Sequence, residues 1–131
     1  MNILQNISSA FIYNSKKSEI VDSSLGVLEF RDLVNTIAKK YGLLIYSNGL
    51  TSYRLLFTGS SFIFSSKYEK LLAANTFIDI ELSYNGQVKI TSQEKLISPL
   101  ASERKNFDRV IETRLIIFMS FLNTELKSQT N

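Results

Sequence analysis

The stretch Ile78 to Thr91, IDIELSYNGQVKIT, alternates large apolar and polar residues on both sides of a Tyr-Asn-Gly segment. A period of two flanking Asn-Gly is the strongest short-range signal for an antiparallel hairpin, and it commits this part of the chain to a sheet with one apolar face. The register follows from the side chains. A two-residue turn at Asn85-Gly86 would set Leu82 against Lys89 and Ser83 against Val88, mixing the two faces of the sheet. A three-residue loop, Tyr84-Asn85-Gly86, with Gly86 left-handed and a bulge beside it, pairs Leu82 with Val88 and Ile80 with Ile90 and brings Glu81 opposite Lys89 on the exposed face. The longer loop is the expectation.

Around this hairpin the period changes. Leu28 to Tyr41 carries Leu33, Val34, Ile37 and Tyr41 on one helical stripe, with Arg31, Asp32, Asn35 and Lys39 opposite. Gly42 is a suitable stop, and the lysines before it complement the helix dipole. Tyr53, Leu55 and Phe57 alternate as a strand. A turn at Thr58-Gly59 would place Leu55 opposite Phe62 and Tyr53 opposite Phe64. Lys67 to Asn75 reads as a short helix carrying Leu71 and Leu72. After Pro99 the longest helix is expected from about Ser102 to Lys127, with Ser102 as N-cap. Its apolar residues, Phe107 to Leu122, cover more than half its circumference, as suits a helix lying deep in its own core; cover by a partner is the sharper alternative.

The fold class expected is therefore α+β: an antiparallel sheet flanked by helices, in the order helix, strands, short helix, hairpin, long C-terminal helix. A length of 131 residues suits one domain, here 27–131. Residues 1–26 are an N-terminal extension: Ile3, Leu4, Ile7, Ala10 and Phe11 follow helical spacing and Asn14 to Ser24 is polar, which suggests a short helix plus linker. Met1 to Tyr13 has neither a basic start nor a long apolar core, so a cytoplasmic protein with no membrane partner is expected.

Chemistry is restricted by what is missing. The chain has no histidine and no cysteine, which removes the side chain that titrates near neutrality and the strongest ready nucleophile and soft metal ligand. No phosphate-cradling glycine motif and no carboxylate spacing of a calcium loop is present, so no cofactor and no metal are expected. Glu81, Glu94 and Glu112 are nominal candidates for paired-carboxylate catalysis, and nothing distinguishes them from surface carboxylates. The expectation is a protein without enzymatic activity. Fifteen Lys and Arg against twelve Asp and Glu give a net charge of +3 without a dense basic patch, and Arg54 stands almost alone among the strand aromatics, so nucleic-acid binding is not favoured. Apolar strand faces could instead grip an extended peptide by pairing at a sheet edge.

The element order resembles that of the class I type III secretion chaperones, the Tir-chaperone-like family, over residues 28–127. The resemblance rests on FRDLVNTIAKKYGLLI for the first helix and its exit, KLLAANTF for the middle helix, IDIELSYNGQVKIT for the hairpin, and the closing helix after ISPLASE. It implies a cytosolic homodimer that holds an extended segment of a secreted effector. On that basis Leu33, Ile37, Tyr53, Leu55 and Phe57 would line the partner-binding surface, and Leu71, Leu72, Ile80 and Leu82 the dimer interface. An immunity protein or phage-type inhibitor of an enzyme is the alternative in the same binding class, and a nucleic-acid-binding regulator is a third reading.

Overall fold

A computed structural model describes residues 12–57, 76–97 and 101–130. Among these residues five strands and two helices follow one another as β1 (Ile12–Asp22), α1 (Val27–Tyr41), β2 (Leu44–Asn48), β3 (Ser52–Phe57), β4 (Thr76–Leu82), β5 (Gln87–Ile97) and α2 (Ala101–Thr130). The strands form one sheet in the order β1-β5-β4-β3-β2, and every neighbouring pair is antiparallel. The architecture is α+β, as the periodicities imply.

Alternation sorts each strand into two faces. Tyr53, Leu55 and Phe57 on β3, Ile78, Ile80 and Leu82 on β4, and Val88 and Ile90 on β5 are buried together with Phe30, Leu33, Val34 and Ile37 of α1 and Leu115, Phe118 and Leu122 of α2. Both helices therefore cover the same, inner, face. The outer face carries Arg54, Leu56, Phe77, Asp79, Glu81 and Lys89, which are half-buried or exposed.

The β4–β5 hairpin has the register that face separation demands. Leu82 opposes Val88, Ile80 opposes Ile90 and Glu81 opposes Lys89. The Gly86 N–H donates to the Ser83 carbonyl at 3.0 Å and the Ser83 N–H to the Gln87 carbonyl at 2.8 Å, which closes a three-residue loop with Gly86 left-handed at φ 84°. The α1 stop is also as expected: Gly42 is left-handed, and the Leu43 N–H reaches back to the Ala38 carbonyl at 3.0 Å.

Three expectations need correction or fall elsewhere. Residues 12–22 are a strand and not a linker, paired with β5 from Ile12–Ile97 to Asp22–Gln87. A strand at a sheet edge keeps one edge and one face in water, so it tolerates Lys16, Lys17 and Ser18, and its low hydrophobicity reads as a linker. The sheet thus extends beyond the expected domain start at residue 27. Tyr53 and Leu55 oppose Ile80 and Ile78 on one side and Asn48 and Ile45 on the other, so neither has an edge left for Phe64 or Phe62. Those two residues, the helix expected over Lys67–Asn75 with Leu71 and Leu72, and the spacing of Ile3 to Phe11 lie outside the described residues.

The broad apolar surface of α2 is consumed within the chain. Phe107, Val110, Ile111, Leu115, Phe118 and Leu122 are buried, Ile117, Met119 and Phe121 partly so, and Phe121 stacks on Tyr41 of α1 with centroids 3.8 Å apart. Among the described large apolar side chains of α2, Ile116 alone is exposed, at 60%. Polar contacts fix the helix against β1 and β4. Asp108 accepts the Tyr13 hydroxyl at 2.7 Å and the Ser15 hydroxyl at 2.6 Å, which anchors β1. Arg114, 1% exposed, donates to Thr76 Oγ1 and lies over the Phe57 ring; burial disfavours its charge and pulls its pKa down to about 10.

Near the other end of α2, buried Glu125 accepts from Lys40 Nζ at 2.8 Å and from the Tyr41 hydroxyl at 3.0 Å. The Lys40 contact, then that of Tyr41, holds the Glu125 carboxyl below its ordinary value of 4.5. A carboxylate with a depressed folded-state pKa adds stability above its unfolded value and loses it as pH falls through that value towards the folded one. Urea midpoints measured at about pH 7 and about pH 3.5 are expected to differ more for the wild type than for Glu125→Gln. Equal differences would show that this contact contributes nothing to acid sensitivity.

Candidate partner-binding surface

The two edges of the sheet differ in chemistry. β1 is long and presents Lys16, Lys17 and Glu19 to solvent, the charged pattern that discourages further pairing. β2 is five residues long and exposed throughout, and it opens with three large apolar side chains: Leu44, Ile45 and Tyr46 are 59%, 41% and 64% exposed. Among the described residues no strand lies beyond it.

The local sequence explains this strand. Gly42 ends α1, the run Leu43-Leu44-Ile45-Tyr46 follows, and the chain turns back at Asn48 to Thr51, where the Gly49 N–H donates to the Ser52 carbonyl at 2.6 Å. Pairing with β3 shifts register between Ile45 and Ser47. This bulge leaves Tyr46 without an opposite residue and re-aims its side chain. The ring meets Phe77 edge to face, with centroids 5.0 Å apart at 66°. Leu44 opposes Leu56, and Leu56 opposes Phe77, so an apolar corner runs from the β2 edge onto the outer face.

Beside that corner stands a polar group. The Arg54 guanidinium donates to Asp79 through Nε at 2.7 Å and Nη2 at 3.0 Å, and Gln93 Nε2 also donates to Asp79. Arg54 lies 4.6 Å from the Phe77 ring centroid. The bond to Asp79 raises the Arg54 pKa above its ordinary value against the opposing effect of burial, so the pair is fixed as an ion pair with two parallel bonds. Past it, at the β2–β3 turn, opens a pocket of about 360 Å³ bordered by Ser47, Asn48, Gly49, Arg54, Asp79 and Glu81.

The residues expected to touch partners lie elsewhere. Leu33, Ile37, Tyr53, Leu55 and Phe57 are at most 4% exposed and form the core between sheet and helices, so they cannot line a partner-binding surface here. Ile80 and Leu82, expected at a dimer interface, are likewise buried within the chain; Leu71 and Leu72 lie outside the described residues. Of the carboxylates considered for acid–base work, Glu81 borders the pocket, Glu94 sits on β5 and Glu112 on the exposed side of α2. No group of three or more metal-ligating residue types comes together among the described residues, and no described helix is long and apolar enough to cross a membrane.

The surface that the fold does present, Leu44, Ile45, Tyr46 and Phe77 beside Arg54 and Asp79, had a sequence signal: a short apolar run with aromatic and β-branched residues, held between a helix-stopping glycine and an Asn-Gly turn. The class so defined is an α+β protein in which, among the described residues, two helices cover one face of an antiparallel sheet that offers one apolar edge and an uncovered outer face. Comparison with protein-family models, with curated proteins and with solved structures finds no match to the chain.

Proposed function

We propose that this is a non-catalytic binding protein that holds an extended segment of a partner protein as an added strand beside β2, in the manner of a secretion chaperone. The exposed apolar edge at Leu44, Ile45 and Tyr46 carries the proposal. Backbone pairing sets the register of the captured segment, and alternate side chains choose between the inner rim and the apolar corner at Phe77. Each added hydrogen bond contributes about 1 kcal/mol net, so a strand of this length needs apolar contacts for useful affinity.

The test is binding to the product of the neighbouring reading frame, since chaperones are commonly encoded beside their clients. Tyr46→Lys and Ile45→Lys are each expected to weaken the complex by about tenfold or more, the equivalent of 1.4 kcal/mol, while remaining folded with a smaller change in urea midpoint, since the side chains are 64% and 41% exposed and Tyr46 loses its edge-to-face contact with Phe77. Hydrogen exchange should show new protection in an otherwise unfolded client segment. Wild-type affinity in both lysine variants would overturn the β2 site. Homodimerisation forms part of the proposal, through a surface other than Ile80 and Leu82; a strict monomer of 14.9 kDa in light scattering at micromolar concentration counts against the chaperone reading.

A further inference from the structure

We infer that two copies of the chain join through β1, edge to edge and antiparallel, about a two-fold axis at Ser18. The inference gives the proposed homodimer its surface and rests on β1 alone, not on strand capture at β2. β1 is an eleven-residue strand at the end of the sheet, and among the described residues no strand lies beyond it. Lys16, Lys17, Ser18, Glu19 and Ile20 are all exposed, Ile20 at 58%. Neither Lys17 nor Glu19 is ion-paired among the described residues. The charges that deter an arbitrary strand match one partner in one register.

Pairing with β5 fixes the two faces of β1. Tyr13, Ser15, Lys17, Glu19 and Val21 share the face of Val88 and Ile90, while Asn14, Lys16, Ser18, Ile20 and Asp22 lie on the outer one. A symmetric pairing that keeps these faces apart must set one residue against its own copy on the axis. An axis at Lys16, Lys17 or Glu19 brings like charges directly opposite each other, which is unfavourable. An axis at Ile20 pairs only residues 18–22. At Ser18 residues 14–22 of each copy overlap, and Lys17 faces Glu19 of the second copy twice over by symmetry. Lys16 lays its aliphatic stem along Ile20, Ser15 meets Val21, and the Asn14 amide meets the Asp22 carboxylate. The joined sheet keeps a free β2 edge at each end, so dimer formation and strand capture do not compete.

Sedimentation equilibrium on the full chain reads the dimer. Lys17→Glu is expected to weaken it about tenfold or more, by setting carboxylates opposite each other, and Lys17→Glu with Glu19→Lys should restore it to within about threefold of the wild type. The chain has no cysteine, so a single introduced thiol reads the register. Residues opposed across a strand pair lie roughly 4.5–5.5 Å apart at Cα, within disulfide reach. Under mild oxidation Ser18→Cys should cross-link to itself, whereas Lys16→Cys and Ile20→Cys should cross-link about tenfold faster when mixed than either does alone. A dimer that Lys17→Glu leaves intact would overturn the β1 surface and leave the chaperone reading standing. A strict monomer without a Ser18→Cys cross-link would overturn it as well, and client binding that Tyr46→Lys weakens would then still support strand capture. A dimer broken by Lys17→Glu, with client binding indifferent to Tyr46→Lys, would uphold the β1 surface and remove strand capture alone.

Discussion

Replacing Phe118 with alanine is expected to cost about 3–5 kcal/mol of unfolding free energy. Phe118 is fully buried on α2, inside the cluster formed by α1, β3, β4 and β5, and meets Phe121 edge to face with centroids 6.5 Å apart. The loss combines removed apolar burial with a cavity that α1 and the sheet, tied at Lys40–Glu125 and through the hairpin, cannot readily close. Urea unfolding of Phe118→Ala should show a lower midpoint with an unchanged slope. Ile116→Ala serves as the comparison, since Ile116 is 60% exposed on the same helix and should move stability by no more than about 0.5 kcal/mol. If Phe118→Ala fails to fold, Phe118→Leu reads the same site at smaller cost. A loss below about 1 kcal/mol for the alanine variant would mean that the packing there is not as described.

Gly86→Ala is the second large effect, at about 2–3 kcal/mol. The left-handed backbone at φ 84° costs a residue with a Cβ about 1–2 kcal/mol. A Cβ there would also stand 2.5 Å from the Ser23 carbonyl oxygen. The Gly86 carbonyl accepts the Ser23 N–H at 3.1 Å and the Ser23 hydroxyl at 2.6 Å, so relieving the clash disturbs the bonds that hold the β1–α1 connection against the hairpin. Gly42→Ala separates the two contributions. Gly42 is also left-handed, but a Cβ added there meets nothing within 4 Å, and its variant should lose only about 1 kcal/mol. Equal losses at the two positions would show that the approach of Ser23 relaxes at no cost.

How far the fold could be read in advance depended on whether the determinants were local. The β4–β5 register was legible because two alternating strands and one glycine allow a single loop that keeps Ile80, Leu82, Val88 and Ile90 on one face. Both long helices were legible from their stripes and stops. β1 was not, because its polar residues satisfy an edge strand whose partner, β5, is remote in the chain. The partner of β3 was misjudged for the same reason: a turn signal at Thr58-Gly59 is local, whereas the pairing of Tyr53 with Ile80 is set by which apolar faces meet in the core. The binding surface was hardest to see. Apolar spacing marks the residues that a core needs, so Leu33, Ile37, Tyr53, Leu55 and Phe57 answered to the core, while Leu44 and Tyr46 stand outside the alternation because of a bulge. Arg114 has no local sequence mark of burial: it stands amid the apolar residues of α2 as a charged side chain, yet it is buried against Thr76 and Phe57.

The pairing of β1 with β5 has a consequence for how the chain acquires its shape. Ile12 meets Ile97 and Asp22 meets Gln87, so β1 finds its neighbour only after β2, β3, β4 and β5 have been synthesised. The β4–β5 hairpin can close early through its own short loop, but bringing β1 alongside means closing a loop that contains α1 and three other strands, with its entropy cost spent before any contact repays it. During that interval β5 is itself an edge, and the charged strand that later covers it is not yet in place.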